Sequence, residues 1–599
     1  MTGTLPRSLD LGLIGNAAMA ALIDRQGDVL WMCAPRFDGD PVFCGLLDPG
    51  AGPDEGLWSI RCDGLTDSSQ TYRRNTAVLE TTQTDDQGNS LRIIDFMPRF
   101  HDRGRMFRGR SLIRIVEPLA GMPRLTVRLR PRHGHGAHAA EVKRGSNHLR
   151  YLLGAQEMRL TTTAPVEFVL NQTPFLLDRP QAFILGPDEP LSDAPDVVAA
   201  RFLHQTQDYW ADWVRALSIP ADYQQAVIRA AITLKLCEYE ETGGIVAALT
   251  SSIPEYQGTG RNWDYRFCWL RDSYFTVKAL NSLGVTRTME DYLDYVLNLA
   301  TGSADGYMQP LFGLGHERIL TEETCPDLMG YRGNGPVRRG NAAYHQVQND
   351  GYGSVILAVS QCFFDSRLPR LGGEDLFRRL ERLGDQAVAR WNTPDAGLWE
   401  FRTRESIHTH SALMCWGACD RLARIARHLG LPDRARHWGA HAARIREAIE
   451  TWGFSQEKQS YTMAFGAEDL DASLLLMTEI GFTTGADPRY RSTVAAIERE
   501  LRHGHHLFRY KAPDDFGAPE TAFTACTFWL IDALCRLDRH DEAREIFAEV
   551  LAQRNPLGLL SEGVHVESRQ LWGNFPQTYS MVGLINAATK LSRRWEDVV

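Results

Sequence analysis

The chain has 599 residues, more than one hydrophobic core fills, so two domains or one large barrel with an appended domain are expected. With 43% apolar and 23% charged residues it folds around a core, and no stretch is polar enough for long disorder. A formal charge of -10 and a pI near 6.0 exclude the clustered basic field that holds nucleic acid and leave a small-molecule partner, with a second copy of the chain the one protein partner left open.

Near the N-terminus "LGLIGNAAMAAL" imitates the apolar core of a signal peptide, but Asp10 and Asn16 interrupt it and it runs into the strand-like "LIDRQGDVLWM". No run of about 18 uncharged apolar residues exists, which argues against a membrane span. Up to about residue 200, short alternating stretches ("LTVRLRP", "HLRYLLG", "EFVLNQT", "AFILGP") are separated by Gly, Pro, Asn and Asp. That pattern predicts an antiparallel β-sandwich over residues 1–200. The eleven cysteines are scattered, without a C-x-x-C pair, so free thiols and a cytoplasmic setting are expected. "HGHGAH" (133–138) and "HTH" (408–410) lack the further ligands of a metal site, and "GTG" (258–260) follows no βαβ unit, so neither a metal nor a nucleotide cofactor is expected.

From "FLHQTQDYWADWVRAL" onward the period changes to 3.6, which predicts a helical linker over 201–221 and an all-helical domain over 222–599. About twelve helices are expected there, starting near Asp222, Asp272, Thr288, Ala342, Gly373, His408, Pro432, Asp469, Pro488, Glu520, Arg539 and Pro576. Twelve helices without intervening strands make six hairpins, which close as an (α/α)6 toroid; an open solenoid lacks the fixed repeat it would need. In a toroid the inner helices end at a common mouth, so chemistry belongs in the segments just before them.

Three such segments stand out. "NWDYRFCWLRDS" (262–273) alternates Trp263, Tyr265, Phe267 and Trp269 with charges and ends in Arg271 and Asp272. Rings alone read as core, but a dry core makes those charges costly, whereas a sugar pocket needs apolar faces to stack on and charged groups for hydroxyls. "DAGLWEFR" (395–402) sets Glu400 after Trp399; a carboxyl beside an indole in a poorly solvated place holds its proton more tightly, as a general acid must. "GLLSEGVHVESRQLWGNFPQTYS" (558–580) carries Glu562 in a glycine-bounded loop, and paired carboxylates on separate mouth loops are what glycosidic cleavage requires.

At these residues the chain resembles glycoside hydrolase family 15, the glucoamylase and bacterial trehalase group. The likeness runs nearly end to end, from "LIGNAAMAALIDRQGDVLWMCAPRFDGDPVFCGLLD" through the three segments above to "FRYKAPDDFGAPETAFTACTFWLIDAL". It implies a β-sandwich followed by an (α/α)6 barrel and an inverting, exo-acting α-glucosidase. By that resemblance Glu400 is the general acid and Glu562 the general base, Arg271 and Asp272 hold the glucosyl ring, Trp269 and Trp399 are walls, and Arg509 is a further anchor. "MQPLFGLGHERILTE" and "GPVRRGNAA" are similar to trehalase-like members, which puts trehalose ahead of α-1,4 or α-1,6 gluco-oligosaccharides. The chain departs from the family pattern at Gly563, where many members carry an acidic residue, and at Met581, where His is common. An inverting phosphorylase would leave Glu562 without a role, and a binding protein would need neither carboxylate.

Overall fold

The computed structural model describes residues 7–48, 50, 52, 54–301, 306–368 and 372–598. The N-terminal part is a sandwich of two antiparallel sheets. One sheet runs Leu11–Gly15, Ala20–Asp24, Val29–Ala34, Leu57–Cys62, Arg124–Arg130 and Phe175–Leu176, with Asp40–Phe43 paired to the third strand. The other runs Glu141–Arg144, His148–Leu153, Gln156–Thr162, Gln181–Gly186, Leu112–Ala120, Ser90–Phe96, Leu79–Asp85 and Leu65–Tyr72. Ile14, Ala21, Ile23, Met32 and Ile60 of the first sheet meet Leu91, Ile93, Val116 and Leu160 of the second in a shared core.

The run that imitates a signal peptide is a sheet buried on both sides. Because side chains alternate along a strand, Ala21 and Ile23 face the sandwich core while Ala20 and Leu22 face the helical domain, where Leu11, Leu13, Leu30 and Trp31 join Val227 and Ala230. Burial of each such leucine contributes about 1.5–3 kcal/mol, so the two domains share one continuous apolar contact. A buried ionic group reinforces it: Arg99 reaches Glu240 at 2.5 Å and Lys235 reaches Glu238 at 2.9 Å. The outer face of the second sheet is covered by Val198 and Ala199 of the connecting helix Pro195–Arg215. One expected strand is a helix: Val166–Leu170, overlapping the first half of "EFVLNQT", is a single helical turn after Pro165, whose Val166 and Val169 lie three residues apart and both pack on the sandwich core.

The helical part is the expected toroid, but it is not all helical: short strand pairs such as Cys268–Trp269 with Leu311–Phe312 stand between its helices, where none was expected. Leu270–Ser282, Asp350–Ser360, Thr409–His428, Ala472–Ile480, Thr524–Arg536 and Thr578–Leu591 form the inner ring, each packed on the next and the last returning to the first. Gln224–Leu236, Thr286–Thr301, Glu374–Arg390, Pro432–Trp452, Pro488–Leu501 and His540–Gln553 lie outside. Two inner helices differ from expectation. The helix expected near Ala342 is there a 3-10 turn, Ala342–His345, capped by the Asn341 side chain; the helix proper starts at Asp350. The helix near Asp469 is a 3-10 turn, Ala472–Leu476, followed by Met477–Ile480 and stopped at Gly481.

Candidate active site

The stretch 262–273 sorts its residues by alternation. Asp264 and Arg266 turn toward the sandwich: the guanidinium donates to both Asp264 oxygens at 2.8 and 2.7 Å and to the Gly39 carbonyl at 2.7 Å. Trp263, Tyr265 and Trp269 turn the other way and line a pocket at the mouth of the inner ring. Cys268–Trp269 pairs with Leu311–Phe312, and Phe267 packs on Leu311 and Leu320, so the stretch is held from behind by both domains. Arg271 and Asp272, in the first turn of the next helix, complete that wall. Crowding rings and charges together gives a two-faced segment, one face structural and one facing the pocket.

The segment 395–402 brings Glu400 to the same pocket. Its root is Asp395, which accepts from the Asn349 N–H at 2.8 Å and the Ser411 hydroxyl at 2.7 Å, with His408 Nδ1 2.7 Å away. Gly397 has φ +67°, and a Cβ there would stand 2.8 Å from the His408 ring. Glu400 itself has φ +61°, a left-handed conformation that costs a non-glycine residue about 1–3 kcal/mol and recurs at functional sites. The Gln346 amide steadies it by donating to the carbonyls of Glu400 and Phe401 at 3.2 and 3.3 Å.

The Glu400 carboxylate accepts from Trp269 Nε1 at 2.6 Å, Gln348 Nε2 at 3.2 Å and Arg271 Nη2 at 3.5 Å. Arg271 also donates to Gln348 and Asp350 at 3.0 and 3.2 Å and lies 3.7 Å from Asp272, whose carboxyl burial pushes up to about 7 against the pull of Arg271. The indole that donates to Glu400 is thus Trp269, not its chain neighbour Trp399. Trp399 donates to Asp471 at 3.1 Å and builds the opposite wall with Tyr510, Phe523 and Trp529.

Glu562 precedes the strand Gly563–Val564, which pairs with Ala522–Phe523 and Leu571–Trp572. It is 2% exposed and accepts from the Tyr265 hydroxyl at 2.6 Å. Gly573 makes room for it, since a Cβ there would lie 2.5 Å from Glu562 Oε2. Burial, then the charge of Glu255, pushes Glu562 up to about 8, while the Tyr265 hydrogen bond and Arg509 pull it down. Arg509 reaches Glu255 at 2.9 Å.

Of the seven residues chosen from sequence, Glu400, Trp269, Arg271, Asp272, Trp399 and Arg509 line this pocket; Glu562 is tied to it by the hydrogen bond from Tyr265, which lines it. Glu255, Gln346, Gln577 and Tyr579 also line it and were not chosen. Gln577 and Tyr579 lie in the quoted "GNFPQTYS", just where an inner helix begins, and that position was a usable signal; Glu255 in "SIPEYQ" had none. Met581 is fully buried on the helix Thr578–Leu591, and neither it nor Gly563 lines the pocket. Among the described residues no group of His, Cys, Asp or Glu is arranged to hold a metal ion, and no helix is long and apolar enough to cross a membrane.

Comparison with known proteins bears on the whole chain. A model of glycosyl hydrolases family 15 matches residues 221–589. The chain belongs to that family. It is a glycoside hydrolase, and the helical part of this family 15 chain is the part the model covers. A trehalase-like N-terminal domain model matches residues 3–177, the sandwich. The trehalase of Thermoplasma volcanium is 31% identical over 591 residues, covering 97% of this chain and 93% of that protein. The trehalase of Mycobacterium tuberculosis is 31% identical, covering 99% of this chain and 90% of that protein. A crystal structure of bacterial glucoamylase complexed with acarbose superposes with a TM-score of 0.69 at 13% identity, covering 98% of this chain and 94% of that one, a likeness of fold.

Proposed function

We propose that the chain is an inverting, exo-acting hydrolase whose substrate is trehalose, the attacked unit leaving as β-glucose and the other as α-glucose. One observation carries the assignment of the two carboxyl groups: Tyr265 and Trp269, with ring centroids 5.5 Å apart in one stretch, each hold one of them, Glu562 and Glu400. Glu400 is the general acid and gives its proton to the glycosidic oxygen as the bond to the anomeric carbon breaks. Glu562 is the general base and takes a proton from the water that attacks that carbon from the opposite face. Inversion by this route needs carboxyl groups about 6.5–9.5 Å apart. Arg271 and Asp272 hold the glucosyl hydroxyls between Trp269 and Trp399, and Arg509 anchors the Glu562 side.

The preference for trehalose is supported by the relatives named trehalase over nearly the whole length, and by a sandwich matching the trehalase-like N-terminal domain. The division of labour is a sandwich over residues 1–200, a connector over 201–221 and a catalytic barrel over 222–599, with the sandwich bracing the Trp269 segment through Arg266 and Gly39. Eleven unpaired cysteines, ten of them buried, fit a reducing cytoplasm. Proton NMR of fresh reactions with trehalose, maltose and isomaltose tests the proposal. Equal amounts of β- and α-glucose appearing first from trehalose support it, because the leaving glucose keeps its α-configuration; α-glucose alone, or no hydrolysis of trehalose, overturns it.

A further inference from the structure

We propose that two consecutive aspartates, Asp514 and Asp515, clasp the outer half of the pocket and limit the leaving group to a single sugar unit. This rests on the glycosidase reading of the same site. With the cleaved glucosyl ring held at Arg271 and Asp272 and its glycosidic oxygen at Glu400, the leaving sugar extends outward, past Trp263, Arg402 and Phe516. The segment carrying the aspartates joins the two rims there. Arg261, which leads into the Trp269 stretch, donates to both Asp514 oxygens at 2.6 and 2.7 Å and to the Gly517 carbonyl at 2.6 Å. On the other rim, just after Glu400, Asp515 accepts from the Arg402 N–H at 2.7 Å and from the Thr403 hydroxyl.

The wall between these anchors is fixed as well. Phe516 meets the Trp263 ring edge-on at 5.1 Å, and the Arg402 guanidinium lies 4.2 Å from the same ring. Glu322 pins Arg402 with contacts of 3.1 and 2.9 Å and binds Arg338 at 3.1 Å. A third sugar unit would have to leave where this strap crosses. The two halves of the clasp differ in strength: Arg261 and Asp514 have side chains only 3% and 8% exposed, while Asp515 is exposed. The Asp515 half is the one that a substitution opens without leaving a buried charge unpaired.

The test measures kcat/KM for a short and a long substrate and takes their ratio. One pair is trehalose against trehalose carrying one extra α-1,4-glucose; the other is maltose against maltoheptaose. Wild type should favour the short member, and Asp515→Ala and Phe516→Ala should each lower the ratio about tenfold by admitting the long one. An unchanged ratio in both variants, or a wild type that takes both lengths equally, overturns the clasp. Failure of the trehalose reading looks different: only the maltose pair turns over, and the ratio is still read there. Calorimetric binding of the same pairs to Glu400→Gln, with and without Asp515→Ala, gives the ratio without turnover.

Discussion

The two carboxyl groups are the same residue type in opposite settings. Glu400 has a side chain 24% exposed, sits on a loop of left-handed residues rooted at Asp395, and takes donors from three side chains. Glu562 is enclosed at the start of a short sheet, takes one side-chain donor, and has another carboxylate, Glu255, as its electrostatic neighbour. Here one carboxyl is set by the contacts made to it and the other by how it is enclosed.

The strongest way to break this comparison is to neutralise each group. Glu400→Gln and Glu562→Gln should each lower kcat on trehalose by about 10²–10⁴. They should part on α-glucosyl fluoride, whose leaving group needs little protonation: Glu400→Gln regains activity, while Glu562→Gln does not. Equal behaviour on both substrates would mean the roles are not divided. Next in size is Tyr265→Phe. It removes the one side-chain hydrogen bond to Glu562, a bond to a charged group worth about 1.5–3 kcal/mol, so kcat should fall about tenfold to a hundredfold with KM little changed.

The pH profile sharpens the same contrast. A base must be ionised to work, and burial together with Glu255 raises Glu562 to about 8. Below that value the base takes up its proton, so with α-glucosyl fluoride, which needs no protonation by Glu400, kcat/KM should still be rising between about pH 6 and 8. Glu255→Gln removes the like charge and frees Arg509 to face Glu562. Both changes favour the ionised form, so the acidic limb should move down by about one unit. A limb already flat at pH 6 in wild type, or unmoved in Glu255→Gln, would show that Glu562 is not the group that titrates.

How much of this was legible follows from which contacts are local. Alternation along 263–269 and the charges at its end pointed to Trp269, Arg271 and Asp272 because neighbours in sequence share one wall. The turn in place of a helix near Ala342 was not legible, since apolar "AAY" followed by a polar run fits a helix equally well. That region instead spends Gln346 and Gln348 on Glu400, more than 50 residues away. Trp399 was paired with Glu400 by adjacency, but a left-handed residue turns neighbouring side chains apart, and Trp269 from another segment took the contact. Glu255 gave no local sign, because its effect depends on two residues more than 250 positions away.

Two glycines, one beside each carboxyl, give the smallest and cleanest measure of the difference. Gly397→Ala puts a Cβ into a left-handed backbone and 2.8 Å from the His408 ring, which lies against Asp395. The backbone alone costs about 1–2 kcal/mol, and displacing His408 loosens the root of the Glu400 loop, so both melting temperature and kcat should drop. Gly563→Ala follows Glu562 in a strand without positive φ, and its Cβ meets the Ala522 carbonyl at 3.1 Å and the Thr521 hydroxyl at 3.2 Å. Backbone entropy lost by the unfolded chain offsets that tightness to within about 1 kcal/mol, and the residue does not line the pocket. Activity should therefore stay close to wild type. If Gly563→Ala were the more damaging of the two, the Glu562 side would be the one held by fine backbone geometry, and the contrast between a strained loop and an enclosed seat would be reversed.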